Sequence, residues 1–306
     1  MLSEKELREI IGKVINEMGN SKKSDVPSIA MANNFGSGSA VSSSQNENAN
    51  VSDDQIVDFG KINIKDQLLV ENPANREEYM KLKQRTSARL GIGRAGLRLK
   101  TDILLRLRAD HAAAQDAVFN DVPEEFIEEA GLFTVVTECT SRDEYITRPD
   151  LGRKISPEGV KILEEKCKKS PTVQVYVSDG LSSTAVEANT KNILPAVLNG
   201  LKGYGIETGT PFFVKYGRVG AADHISDILK PDVTCVLIGE RPGLTTAESM
   251  SAYITYKAYV GIPESKRTVV SNIHRDGTPA AEAGAHVAEL IKKVLEAKAS
   301  GQDLKL

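Results

Sequence analysis

Tryptophan is absent from the 306 residues, and aromatic residues of all kinds make up only 5%. None of them falls among Lys81, Lys83, Arg85, Arg89, Arg94, Arg98, Lys100, Arg106 and Arg108, the most basic stretch of the chain. Base-stacking platforms are missing where positive charge is densest, which argues against nucleic-acid binding there. Charge of one sign is also missing overall: 39 Lys and Arg against 42 Asp and Glu leave −3, so no global field selects a polyanion. Three cysteines, Cys139, Cys167 and Cys235, lie far apart without a CxxC pair. A disulfide framework and a structural zinc site are excluded on that count, and a reducing cytosol fits. No apolar run approaches the roughly 20 residues of a membrane span. The apolar residues at the N-terminus are spaced, not continuous, unlike a secretory core. His111, His224, His274 and His286 are scattered without metal-ligand spacing, so no metal site is expected. A P-loop, a nucleophile elbow and an HExxH motif are all lacking.

What is present is a recurring pattern. Residues 233–243, VTCVLIGERPG, are an apolar β-prone run that breaks into Gly239, Glu240, Arg241, Pro242 and Gly243. Such a run suits a strand buried on both faces of a parallel sheet, with its polar tail at the carboxyl end. Residues 172–177 (TVQVYV) run into Ser178 and Asp179, residues 211–214 (PFFV) into Gly217 and Arg218, and residues 268–270 (TVV) into Ser271 and His274. Helical segments lie between the first three runs, which argues for βαβ units. Residues 251–259 alternate and read as a strand, an antiparallel edge. In open α/β sheets ligands bind outside the carboxyl ends of strands, so Asp179, Glu240 and His274 are the groups placed near a crevice.

The rest of the chain reads as follows. Residues 2–18 form an amphipathic helix, with Leu7, Ile10, Ile11, Val14, Ile15 and Met18 on one face. A Ser- and Asn-rich linker follows to about residue 55. The tethered helix either docks on its own domain or serves as a detachable address for another protein. Asn75 caps a helix over 75–89, and Thr101 caps a second over 102–119. The basic stretch is a solvated surface or an interface with an acidic partner. Gly91, Gly93 and Gly96 spell GxGxxG, but helix precedes them, so a glycine turn between helices is expected, not a dinucleotide fingerprint. Residues 144–155 read as loop, Ser156 and Pro157 start a helix, and residues 245–250 read as helical. Pro195 kinks the helix after strand one, and Thr278 caps the last helix.

The expected fold is α/β, a Rossmann-like, mostly parallel sheet flanked by helices. Its parts are a targeting helix at 1–19, a disordered linker at 20–55, a smaller helical domain at 56–155 and the sheet domain at 156–306. Two functional classes stay open from the residues alone. One is a subunit that presents a cofactor to a partner's active site. The other is an independent enzyme using Asp179, Glu240 or His274.

The segments LGIGRAGLRLKTDILLRLRADHAAAQDAV, YITRPDLGRKIS, VSDGLSSTAV, GTPFFVKYGRV, VLIGERPGLTTAESMSAYITY and SNIHRDGTPAAEAG resemble, in order, the small (light) chain of ethanolamine ammonia-lyase. The resemblance runs from about residue 75 to the C-terminus. It implies a bacterial lyase that uses adenosylcobalamin to convert ethanolamine to acetaldehyde and ammonia by radical chemistry. It implies a TIM-barrel large chain that holds the substrate, in a dodecamer of six large and six small chains. Carried over by motif, the cobalamin-binding positions are Val219 in YGRV, Glu240 in IGERPG and Val269 in RTVVSNIH; this chain itself supplies no catalytic residue. The DxHxxG motif of proteins that place a histidine on cobalt is lacking, since Asp223 and His224 do not continue into it. The resemblance also gives residues 2–18, from Leu2 to Met18, the look of an encapsulation signal that binds the shell proteins of a bacterial microcompartment. The basic stretch becomes a candidate large-chain interface.

Overall fold

Six strands carry the structure, a computed structural model that describes residues 63–305. The expected helix at 2–18 and the linker at 20–55 lie outside the described residues. In chain order the main elements begin with α1 (Arg76–Gln84), β1 (Arg94–Ala95), β2 (Arg98–Leu99), α2 (Thr101–Phe119), α3 (Glu124–Glu129), β3 (Thr134–Val136) and α4 (Arg142–Thr147). They continue with α5 (Pro157–Lys166), β4 (Val173–Ser178), α6 (Ser183–Gly203), β5 (Phe213–Lys215), α7 (Ala221–Leu229), β6 (Val233–Gly239), β7 (Met250–Tyr256), β8 (Arg267–Ile273) and α8 (Ala280–Ala297). The large sheet has the order β3-β5-β4-β6-β7-β8. Strands β3, β5, β4 and β6 are parallel; β7 is antiparallel to β6, and β8 is antiparallel to β7. Strand β8 therefore runs in the direction of β6, and its carboxyl end reaches the same rim.

Strands β4 and β6 are buried along their whole length, as their unbroken apolar runs require. Alternation divides their side chains between two cores. Val173, Val175, Val177, Cys235 and Leu237 pack with Ile193 and Val197 of α6 and Val287 and Ile291 of α8. Tyr176, Val236 and Ile238 pack on the opposite face with Leu163 of α5 and Ile225 and Leu229 of α7. Each such aliphatic side chain stabilises by roughly 1.5–3 kcal/mol when fully buried. The described residues lie in one compact unit, and none of their helices is long and apolar enough to cross a membrane.

Several local expectations hold. Asn75 accepts from Glu78 N at 3.1 Å and Ser156 accepts from Gly159 N at 3.0 Å, each capping its helix. Other expectations are corrected. Strand β7 is antiparallel but interior, and β8 is the edge. Parallel pairing continues to β3 through three residue pairs, within the stretch read as helical, so the sheet extends across residue 155. Residues 144–155 are not all loop, because Ser141 caps α4 and a 3-10 turn spans Leu151–Arg153. Thr101 is the first residue of α2 rather than its cap, and Pro279, with no side-chain bond, occupies the cap position of α8. Pro195 lies inside α6, between Ser183 and Gly203.

Residues 245–250 do not form a helix. Thr246 Oγ1 accepts from Glu248 N at 3.0 Å, and this local side-chain bond competes with a helical turn. Ser182 Oγ and Asn189 Nδ2 then donate to the carbonyls of Ala247 and Glu248, pinning the loop to α6. The GxGxxG segment is a hairpin of β1 and β2 between α1 and α2, not the strand-to-helix turn of a dinucleotide site. Leu97 at the hairpin tip is 96% exposed.

Candidate functional site

The rim at the carboxyl ends of β4, β5, β6 and β8 is where the topology puts a site. Successive connections leave β4 and β5 toward opposite faces, α6 on one and α7 on the other, so a switch-point crevice falls between these two strands. The crevice is filled by the protein itself. Asp179, 1% exposed, accepts from Tyr216 N at 2.9 Å and from Gly217 N at 3.1 Å, both just past β5. The Arg142 guanidinium of α4 bonds Asp179 at 3.1 Å, Asp121 at 2.9 Å and the carbonyls of Gly180 and Asn120 at 3.2 Å. It also lies over the Tyr145 and Tyr216 rings. Burial pushes the Asp179 carboxyl up to about 6, against the pull of Arg142 and the backbone donors. The group stays ionised at neutral pH; a proton on it would face only donors.

Backbone approach closes the neighbouring gap. Gly180 has φ 56°, and a Cβ there would stand 2.1 Å from the Gly239 carbonyl. Leu181 N donates to that same carbonyl at 2.9 Å, so the loops after β4 and β6 are fastened together. With the crevice plugged, the surface left for a ligand lies on the faces of the rim.

The candidate residues lie at different strands of the sheet, Val219 past β5, Glu240 past β6 and Val269 on β8. Val219 and Tyr253 pack against the core on the α5/α7 side. Tyr253 donates to Glu240 Oε1 at 2.7 Å, and burial together with Glu240 raises the phenol above its ordinary range, keeping it a donor. Val269 pairs with Tyr253 across the ladder. It lies two residues from Arg267, which reaches α7 by two bonds of 2.9 Å to Asp223, so strand alternation puts Val269 on the same face. Among the described residues, β6 joins β7 and β7 joins β8 without an α-helix. Val269 is 45% exposed.

The other sequence candidates do not join this group. His274 bonds Asn272 at 2.8 Å through Nε2, accepts from Asp276 N at Nδ1, and lines a polar cleft of about 780 Å³ with Thr184, Thr246 and Glu248. His224 Nδ1 accepts from Ile155 N at 2.9 Å. Asp179, Glu240 and His274 thus have separate partners and form no hydrogen-bonded acid–base set among the described residues. Arg142, Tyr145, Tyr216, Tyr253 and the Asp223–Arg267 pair were not found from the sequence. Arg142 reaches Asp179 across 37 residues, Arg267 reaches Asp223 across 44, Tyr145 reaches Gly217 across 72 and Tyr216 reaches Asp121 across 95, while Tyr253 depends on strand register, so no local spacing reveals them.

In the basic stretch, ion pairs engage Lys81, Arg89, Lys100 and Arg106. Arg94 and Arg98, on the hairpin, have no acidic partner among the described residues, as no ion pair includes them.

A mostly parallel six-stranded sheet flanked by helices, with its switch point plugged by Asp179, defines an open α/β protein. The model of the family described as ethanolamine ammonia-lyase light chain (EutC) matches residues 76–305. The ethanolamine ammonia-lyase small subunit of Fusobacterium nucleatum subsp. nucleatum is 59% identical over 307 residues, covering 100% of both chains. That of Clostridium tetani is 57% identical, also covering 100% of both. That of Listeria monocytogenes serovar 1/2a is 48% identical and covers 99% of this chain and 100% of its own. The chain belongs to the ethanolamine ammonia-lyase light-chain family.

Proposed function

We propose that this chain is the small subunit of an adenosylcobalamin-dependent ethanolamine ammonia-lyase, a lyase that converts ethanolamine to acetaldehyde and ammonia. It is active only with a TIM-barrel large subunit, in an assembly of six large and six small chains. Val219, Glu240 and Val269 would hold the cofactor. The observation that supports this reading is the group at β6–β8, where Tyr253 donates to Glu240 and pairs with half-exposed Val269.

The residues fit the group. A corrin offers a broad apolar surface rimmed by amides, which call for apolar contact and single acceptors, not a phosphate cradle. Val219 and half-exposed Val269 supply the first. Glu240 supplies the second, because Tyr253 takes one carboxylate oxygen and holds the other in a fixed direction. Adenosylcobalamin, when bound, supplies the radical through its cobalt–carbon bond. The chain's own residues bind, orient and exclude water. His224 Nδ1 accepts from Ile155 N, so that nitrogen would take no part in holding the cofactor.

The test is reconstitution from separately purified chains. Ethanolamine turnover is expected only when both chains and adenosylcobalamin are present, with a mass that matches six of each. Turnover by this chain alone overturns the reading. We further propose that residues 2–18 direct the enzyme into a protein-shelled microcompartment in the cytoplasm by binding shell proteins. Deleting them should leave turnover intact and abolish co-purification with shells; retained co-purification defeats that part.

A further inference from the structure

The segment that carries Val219 is held in an uncommon backbone state. Tyr216, directly after β5, has φ 60°, a region that bulky residues enter only where their surroundings over-determine it. Those surroundings come from several rigid elements. Asp179, at the end of β4, takes the N–H groups of Tyr216 and Gly217 on its two oxygens. The Gly217 carbonyl accepts from Tyr145 of α4 and from Ser178 of β4, each at 3.2 Å. Arg218 N donates to Gly152 O at 2.8 Å. The Tyr216 hydroxyl donates to Asp121 at 3.1 Å, and Asp121 also pairs with Lys215 and Arg142. One residue later the chain turns into α7, with Ala222 N donating to Val219 O at 3.1 Å. A buried carboxylate with this many fixed donors is a costly device for stability alone, because an apolar filling serves as well or better.

We propose that Asp179 is a positioning residue for the cofactor: by fixing the turn at Tyr216 and Gly217, it sets where Val219 stands against the corrin. The inference rests on the reading that Val219 contacts adenosylcobalamin. It assigns Asp179 no proton transfer; its carboxylate works through two peptide groups. Tyr145 serves the same turn from the opposite side.

The experiment uses the assembled two-subunit enzyme with Asp179→Asn, Tyr145→Phe and Glu240→Ala. Two quantities are read: equilibrium binding of cyanocobalamin, and hydrogen exchange of a peptide covering residues 213–221. Asp179→Asn turns an NH2 group toward a donor, so exchange should quicken and binding weaken by roughly tenfold or more. Tyr145→Phe loses one bond, to Gly217 O, and should weaken binding by roughly threefold. A purely structural Asp179 instead lowers yield and melting temperature while folded material keeps its affinity, and that result overturns the proposal. Where Asp179→Asn does not assemble, Tyr145→Phe decides: weaker binding supports the proposal, and unchanged affinity refutes it. Glu240→Ala separates the two layers. If it weakens binding while the other two do not, positioning alone fails; if none of the three does, the cofactor-contact reading fails.

Discussion

Replacing Arg267 tests how the binding margin is held. Arg267 and Asp223 are 6% and 7% exposed and meet through two bonds of 2.9 Å, tying edge strand β8 to α7. Arg267 also bonds Glu264 at 2.6 Å, near the surface. In Arg267→Ala, Asp223 keeps no hydrogen-bonding side chain, and an unpaired buried charge costs about 3–5 kcal/mol. In Asp223→Ala, Arg267 keeps Glu264, so the loss falls at the lower end of that range, about 3 kcal/mol. For a unit of this size each kcal/mol lowers the melting temperature by about 2–4 °C, giving a drop of roughly 10 °C for Arg267→Ala. Burial already raises the Asp223 carboxyl, with Arg267 opposing it. Without Arg267 it rises further. A raised folded value means that stability is fully present below the unfolded value and lost as pH rises through the folded one. The deficit of Arg267→Ala should therefore be smaller near pH 5 than at pH 8. Replacing both partners, by Asp223→Leu with Arg267→Met, should recover most of the loss. Thermal melts followed by circular dichroism at both pH values are the assay. A melting temperature within about 2 °C of the parent at pH 8, or a deficit that widens in acid, refutes the reasoning.

Gly180→Ala should be among the most damaging single substitutions, because the added carbon meets the Gly239 carbonyl and the residue has φ 56°; soluble protein with a parental melting curve would contradict that packing. Burial raises all three thiols, Cys167 to about 11 and Cys235 to about 12. An aromatic disulfide reagent at pH 8 should release no thiol from folded chain and three after denaturation; rapid labelling of Cys235 in the native state would count against the buried sheet centre. Charge reversal at Arg94 and Arg98 together should weaken assembly with the large subunit by about tenfold or more while leaving the melting temperature unchanged, since neither makes an ion pair among the described residues. Unaltered co-purification at raised salt would remove the hairpin from the interface.

The long strands could be read from the chain because burial on both faces writes itself as continuous apolar sequence, as in residues 233–239. Strand β3 escaped because it has three residues, too few to establish any period. The turn at residues 245–250 was misread because threonine suits both a helix start and a local backbone bond, and Thr246 makes the latter. Asp179 was visible as a polar residue at a strand end, but its role depends on Arg142 and on the amides past β5, which only the folded sheet brings near. Val219, Glu240 and Val269 were named by resemblance; that Val269 pairs with Tyr253, the donor to Glu240, follows from register, which a sequence does not spell out.

The reversed strand β7 has a consequence for how such a sheet is finished. A parallel neighbour must be reached over the top, and the chain that makes that journey becomes a roof. Doubling back twice reaches the same heading with no roof at all. Among the described residues, the outermost ribbon thereby gains no α-helix from the connections that lead to it.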